Sequence, residues 1–296
     1  MPLVIEPSLI RPVARKKPGY KSWLPTLFLA GAVMVTPAAA RAADGNPVTN
    51  LGALVVKNTA GNQAQLARVQ VVDGLSVHKE TFILPFTTST LYYGGESEIE
   101  FQISFKQQIL RMPLYFAYTQ KSFWQAYNAA NSSPFRETNY NPEIFYRFAP
   151  GTLPFKSWGM DAGAEHESNG QSGTISRSWN RVYLAPYFPT DSSLWYWKFW
   201  LRIPEPASTD DNPDITDYTG WSELHYRHRF RNGEFIHVML RGNPATGKGA
   251  VSVNYSFGGS PDSYHYVIHL FSGYDESLID YNRSNTRIGF GVIFVR

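Results

Sequence analysis

Met160-Asp161-Ala162-Gly163-Ala164-Glu165-His166-Glu167-Ser168 is the stretch whose reading decides the fold. In a β-strand, residues two apart share a face. Met160, Ala162 and Ala164 then line up with His166 and Ser168, while Asp161, Gly163, Glu165 and Glu167 line up on the other side. The histidine and serine stand on the apolar side, in line with residues suited to lipid. That is an odd place for polar groups, and it points to a site that meets a substrate dissolved in a membrane. After a polar loop at 169–175, the segment 176–188 returns, with Asn180 on one face beside Val182, Leu184 and Pro186. Its other face carries Arg177, Arg181 and Tyr183, which would meet Glu165 and Glu167. Opposite charges across a strand pair fix its register, so the two faces agree.

The same alternation recurs along the chain. Ile99, Phe101, Ile103 and Phe105 fall on one face of 97–105, and Ile288, Phe290, Val292 and Phe294 on one face of the last segment, opposite Arg287, Gly289, Gly291, Ile293 and Val295. The stretch 194–203 is crowded with Trp195, Tyr196, Trp197, Phe199 and Trp200. Alternation over roughly ten residues with aromatic girdles is the pattern of a transmembrane β-barrel. A secreted soluble sandwich also alternates, but leaves so many aromatics on both faces unexplained. From Thr81 onward about twelve such segments follow one another, which predicts an all-β, twelve-stranded antiparallel transmembrane barrel over 81–296. The long polar connections fall near 127–141, 169–175, 205–216 and 258–262, and long loops are expected on the outer side.

Ahead of the barrel, Arg11, Arg15, Lys16, Lys17 and Lys21 precede an apolar run from Trp23 to Val35 and then the small residues Pro37 to Ala43. That order predicts a signal peptide over 1–42, with cleavage near 40–42, and export to the periplasm; the run is too short for a spanning helix. Residues 43–80 read as an N-terminal arm. Removing 1–42 takes away six basic residues and one acid, so the formal charge falls from +3 to −2 and a nucleic-acid partner loses its support. There is no cysteine, so neither disulfides nor thiolate metal sites contribute.

Ester cleavage needs a nucleophile, a base and a group that orients the base. Ser168, His166 and Asn180 supply those three types, although His-x-Ser by itself is a weak signal and no Gly-x-Ser-x-Gly surrounds Ser168. At this point the chain resembles the bacterial outer membrane phospholipase A family. The resemblance is carried by Tyr118–Gln125, Ser132–Tyr140, His166-Glu167-Ser168-Asn169-Gly170, Ser176-Arg177-Ser178-Trp179-Asn180-Arg181, Asp210–Thr216 and Ser272–Asn282, in family order.

The resemblance implies a calcium-dependent outer-membrane phospholipase of A1/A2 type, active as a homodimer on phospholipids and lysophospholipids, with its site on the outer wall. By position, Ser168 matches the nucleophile, His166 the base and Asn180 the residue that orients it. The Gln171 carbonyl and the Ser176 hydroxyl match calcium ligands, Ser132 the serine lent by the neighbouring subunit, and Gln120 a polar residue of the dimer interface. Two departures stand out. Gln171 replaces a frequent arginine, which a carbonyl contact tolerates. Gly173 replaces an acid, so Asp211, at a secondary calcium position, would lack its partner.

Asp210, Asn212 and Asp214 have the opening spacing of an EF-hand loop, but Ile215 and Trp221 stand where glycine and glutamate are required. His225, His228 and His237, among arginines, read as polar lumen lining. The alternative to an enzyme is a structural or pore-type outer-membrane barrel. Twelve strands, however, enclose a narrow interior that charged side chains would fill.

Overall fold

The computed structural model describes residues 74–91, 97–151, 154, 156–260 and 263–294. The predicted leader, and the predicted arm up to residue 73, lie outside the described residues. The strands are β1 (Leu75–Val77), β2 (Thr81–Ser89), β3 (Ile99–Ile109), β4 (Leu114–Trp124), β5 (Phe135–Phe148), β6 (Gly159–Ser168) and β7 (Ser178–Pro189). They continue with β8 (Ser193–Ile203), β9 (Ser222–Arg229), β10 (Phe235–Asn243), β11 (Lys248–Ser260), β12 (Tyr264–Gly273) and β13 (Asn285–Phe294). Each strand from β3 to β13 pairs with the next, and β2 bridges β13 and β3, so β2 to β13 close into a twelve-stranded antiparallel barrel. β1 pairs with β3 through Leu75, Ser76 and Val77, extending the line of β2 along the same neighbour. One short strand of the sheet therefore precedes Thr81, within residues 43–80.

The closing seam carries its own device. Phe290 pairs with Phe86 and Val292 with Ile83, so Leu84 and Pro85 together face Gly291 in a bulge. Proline donates no ladder bond and is admitted at such bulges. Gly291 is needed because a Cβ there would lie 2.0 Å from the Ile83 carbonyl oxygen. The bulge also flips the strand: Phe82 and Leu84 point inward before it, Thr87 after it.

The wall is apolar outside and charged inside. Leu184, Leu201, Ile288 and Phe290 are exposed on the outer face, with Leu201 at 70%. Trp195 packs on Tyr226 and Trp158 on Phe188 toward the end with short turns, while Trp124 stacks on Phe135 at the other end. Inside, Arg147 grips Asp161 with two bonds of 2.7 and 2.6 Å. Lys198 meets Glu165 at 2.7 Å, His78 meets Glu143 at 2.5 Å, and Arg287 joins Glu276 and Glu98 at 2.7 and 3.0 Å. These pairs line the lumen, some between neighbouring strands and some reaching further around the wall, as a narrow barrel with a charged interior requires. His225 and His237 are part of this lining, bonded to each other at 2.9 Å and onward to Glu223 and Glu80. His228 is not: it lies on the outer face of β9, against Tyr226 and Ser193, because strand parity separates it from His225 by an odd number of residues.

The connections 169–177, 204–221 and 274–284 all leave the same end of the barrel. Gly258 to Ser260, expected within a long outer loop, instead belong to β11, which runs through a bulge at the opposite end. The glycines there marked a bulge, not a loop. The short helix α1 (Ile215–Thr219) buries Ile215 in one cluster with Leu278, Tyr281, Trp179 and Trp200, so two long loops fold down over the lumen beside β7.

Candidate active site

β6 and β7 pair with their charged faces together inside, as the alternation predicted. Glu165 faces Arg181, His166 faces Asn180, and Ser168 faces Ser178. Because a direct cross-strand pair holds its Cβ atoms about 5 Å apart, two side chains of this length can meet. His166 Nδ1 and Asn180 Oδ1 stand 2.9 Å apart on the lipid-facing side. Ser168 follows His166 on the same face, and among the described residues no hydrogen bond joins the serine hydroxyl to the imidazole. Such contacts commonly tighten only when substrate is bound.

The inner faces of the same strands explain why the pair is rigid. Arg181 reaches Glu165 at 3.1 Å and Glu167 at 2.7 Å, and its guanidinium lies 3.8 Å from the Trp179 ring centroid. Tyr183, also expected to meet these acids, donates instead to Glu143 at 2.8 Å. Arg177 does not enter this network; it donates to the Thr174 and Ser176 carbonyls, since β7 begins one residue after it.

One neighbour escaped the sequence reading. Pro142 would lie opposite His166 in the β5–β6 ladder and has no N–H to give, and the regular pairing skips from Tyr140–Ser168 to Glu143–Glu165. Asn141 fills the gap: its amide donates to the His166 carbonyl at 2.8 Å and to Glu165 at 3.2 Å. The Asn-Pro pair in a predicted strand was the available signal, because a proline inside a ladder leaves an acceptor to be satisfied.

The loop 169–177 is clamped by buried Asn169. Its side-chain oxygen accepts from the Arg177 and Gln171 amides, and its NH2 donates to the Ile175 carbonyl at 2.9 Å. Gly170, with φ at +66°, turns the chain where a Cβ would press on the Tyr140 ring. This geometry puts Gln171 in the exposed stretch 171–175 and half-buried Ser176 at its end. Ser176 Oγ donates to Asp211 at 2.5 Å, so the carboxylate that Gly173 leaves without an acidic neighbour takes the serine hydroxyl instead. Asn212 holds the two loops together by accepting from the Ser178 amide at 3.1 Å. Gln171 is exposed, while Ser176 and Asp211 are half-buried against each other; oxygen donors with a single carboxylate are of the type that would suit calcium held weakly.

Ser132 is not brought to these residues. It caps a 3-10 turn at Ala129–Asn131 on the β4–β5 loop, in the left-handed region at φ +61°. Asp210, Asn212 and Asp214 are taken up by Arg202, Ser178 and Tyr281, so the EF-hand-like spacing serves to tie loops. Gln120 faces outward on β4, accepting from Tyr118 at 3.0 Å and donating to Ser122 at 3.2 Å. It pairs with Tyr140, which pairs with Ser168, so this polar patch runs into the candidate site across adjoining strands.

A model of the family described as phospholipase A1 matches residues 67–294. The phospholipase A1 of Salmonella typhimurium is 40% identical over 259 residues, covering 75% of this chain and 85% of its own length. A Neisseria meningitidis relative is 39% identical over 67% of this chain, and the chain spans about half of that relative, 54%. Among solved structures, the calcium-bound dimer of the Salmonella typhi outer membrane phospholipase superposes with a TM-score of 0.69 at 32% identity, covering 80% of this chain and 98% of that one. An asparagine-to-alanine active-site variant of outer membrane phospholipase A from Escherichia coli gives a TM-score of 0.70 at 30% identity, with coverage of 80% and 98%.

Proposed function

The chain belongs to the phospholipase A1 family, and from that premise we propose that it is an outer-membrane enzyme hydrolysing acyl esters of phospholipids and lysophospholipids at Ser168. The observation that carries the reading is the His166–Asn180 pair, 2.9 Å apart on the lipid-facing wall, one same-face step from Ser168. An ester in a bilayer reaches this wall by lateral diffusion, and no soluble pocket is required.

In the proposed reaction His166 Nε2 takes the Ser168 hydroxyl proton while Oγ attacks the ester carbonyl. Asn180 holds Nδ1–H, which leaves Nε2 free to act as base. Collapse of the tetrahedral intermediate releases the lysolipid alcohol, which carries off the proton from His166. Water, deprotonated by the same imidazole, then frees the fatty acid from Ser168. The active-site asparagine of the Escherichia coli relative supports the part given to Asn180.

Calcium and a second subunit belong to the same proposal, since the Salmonella typhi relative is a calcium-bound dimer. The Gln171 carbonyl and Ser176 hydroxyl would hold the ion with Asp211 adjacent, and the partner subunit's Ser132 would complete the set. The ion would supply positive charge next to the developing oxyanion. Gln120 and the hydroxyls beside it supply polar contacts for pairing at lipid level, each hydrogen bond contributing about 0.5–2 kcal/mol. Shared ligands leave each monomer incomplete, which guards a host whose own membrane is the substrate.

The test is hydrolysis of sn-1- and sn-2-labelled phospholipid by Ser168→Ala and by the parent protein, with calcium and with chelator. The proposal requires both acyl positions to be cut by the parent only, and only with calcium. Full activity in Ser168→Ala contradicts it.

A further inference from the structure

Asn180 makes a second hydrogen bond that the reaction above does not use. Its Nδ2 donates to Glu205 Oε1 at 3.0 Å, while its Oδ1 faces His166. We propose that Glu205 is a fourth, positioning member of the catalytic set, fixing the Asn180 amide and lending it negative charge. The proposal rests on the Ser168–His166–Asn180 reading and deepens it.

Three observations support the assignment. First, a carboxylate only accepts hydrogen bonds, so Glu205 forces the NH2 end of the Asn180 amide toward itself and the oxygen toward His166. A freely rotating amide could present either end and would then hold the wrong tautomer half of the time. Second, Glu205 sits in Pro204-Glu205-Pro206, at the exit of β8. Both prolines fix their own φ, and Pro206 keeps Glu205 extended. The Pro206 carbonyl then accepts from the Thr209 and Asp210 amides at 2.8 and 3.0 Å, and Asp210 is tied to Arg202 at 2.5 Å. The carboxylate is thus presented on a stiff post. Third, no lysine or arginine neutralises Glu205 among the described residues, and Asn180 is its one hydrogen-bonding partner there. Every acid on the inner faces of β6 and β7 has a cation; this outer one has the amide instead.

The consequence is electrostatic. An asparagine alone orients the imidazole without compensating the positive charge it gains in the transition state. A carboxylate hydrogen-bonded to the far side of that amide polarises it, and low dielectric at the wall strengthens the effect.

The experiment is a cycle of purified full-length variants assayed in mixed micelles with saturating calcium, each checked for heat-modifiable migration. Glu205→Gln keeps an acceptor and removes the charge. It should lower kcat about three- to fivefold, less than loss of Asn180 itself, with KM unchanged and the acid limb of the kcat profile moved to lower pH. Asn180→Asp should also lower kcat, because two carboxylates would then compete for one proton. Combining Asn180→Asp with Glu205→Gln should recover at least about tenfold over Asn180→Asp alone, since the new amide donates to the new carboxylate. Glu205→Gln must therefore be harmful in one background and beneficial in the other. The same sign in both, or an unchanged kcat and acid limb in Glu205→Gln, overturns the proposal. Asn180→Ala separates the two failures. If it lowers kcat while Glu205→Gln does not, only Glu205 is wrongly assigned; if it has no effect on kcat, the triad falls and Glu205 falls with it.

Discussion

The two faces of β6 and β7 carry polar groups back to back and use them in opposite ways. Inside, Glu165 is met by Arg181 and Lys198, Glu167 by Arg181 and Trp179, and Asp161 by Arg147 and Tyr196. Outside, His166 has one bond to Asn180, and Ser168 has none among the described residues. Groups met by ion pairs and several hydrogen bonds hold a barrel together. Groups left with unused capacity, beside lipid, are free to react. The same register sets both faces, so the ion pairs inside are what hold the outer pair in line.

That contrast is broken most severely by exchanging the fates of the two faces. His166→Ala should lower hydrolysis by about 10³-fold or more while leaving denaturant resistance near that of the parent, as for loss of a base that works as a unit with its nucleophile. Arg147→Met should do the reverse. It strands the buried Asp161 carboxylate, a loss of about 3–5 kcal/mol, with activity per folded chain little changed. Urea titration by gel mobility and initial rates on the same samples check both. A stability loss in His166→Ala equal to that of Arg147→Met would erase the distinction.

Removal of calcium by chelator comes next. Loss of a charge beside the oxyanion should cost about 10²-fold in turnover. Because an ion held between two chains favours their association, cross-linked dimer should fall with it. Turnover lost at constant dimer content would separate the ion from the interface. Asn180→Ala should have a smaller effect, about tenfold on kcat, because Asn180 orients a base that its neighbours already confine. A loss larger than that of His166→Ala would reverse the roles assigned to the two residues.

The smallest effect is expected from Asn141→Leu. The His166 carbonyl would lose its donor opposite Pro142, destabilising the barrel by about 1–3 kcal/mol and loosening the β5–β6 ladder next to the base. Faster amide exchange in β6 with kcat reduced a few-fold would sharpen the link between inner support and outer chemistry; unchanged exchange would remove it.

Much of this was legible in the sequence, for reasons that the particular residues make clear. A period of two assigns faces, so His166, Ser168 and Asn180 outside and Glu165, Glu167 and Arg181 inside followed from alternation, while the exact pairs came from the structure. Family motifs marked Ser176, Gln171 and Asp211, and the structure adds that Ser176 and Asp211 touch. Partners far along the chain were not legible. Asn141 acts on His166 through a proline-induced gap, and Glu205 reaches Asn180 from a Pro-Glu-Pro segment that reads as a loop rim. Alternation says which side a residue faces and nothing about what stands there. Grouping the histidines together placed His228 with His225, which a parity count corrects; alternation placed Arg177 with Arg181, which only the observed start of β7 corrects.

The central claim, that a reactive serine stands on the lipid-facing wall beside His166, is tested most directly by covalent capture. Incubation in mixed micelles with a long-chain alkyl sulfonyl fluoride, followed by peptide mass mapping, should place a single adduct on Ser168. The adduct should disappear in His166→Ala while that variant still migrates as a folded barrel. An adduct on any other serine, or undiminished labelling of Ser168 in His166→Ala, would contradict the account.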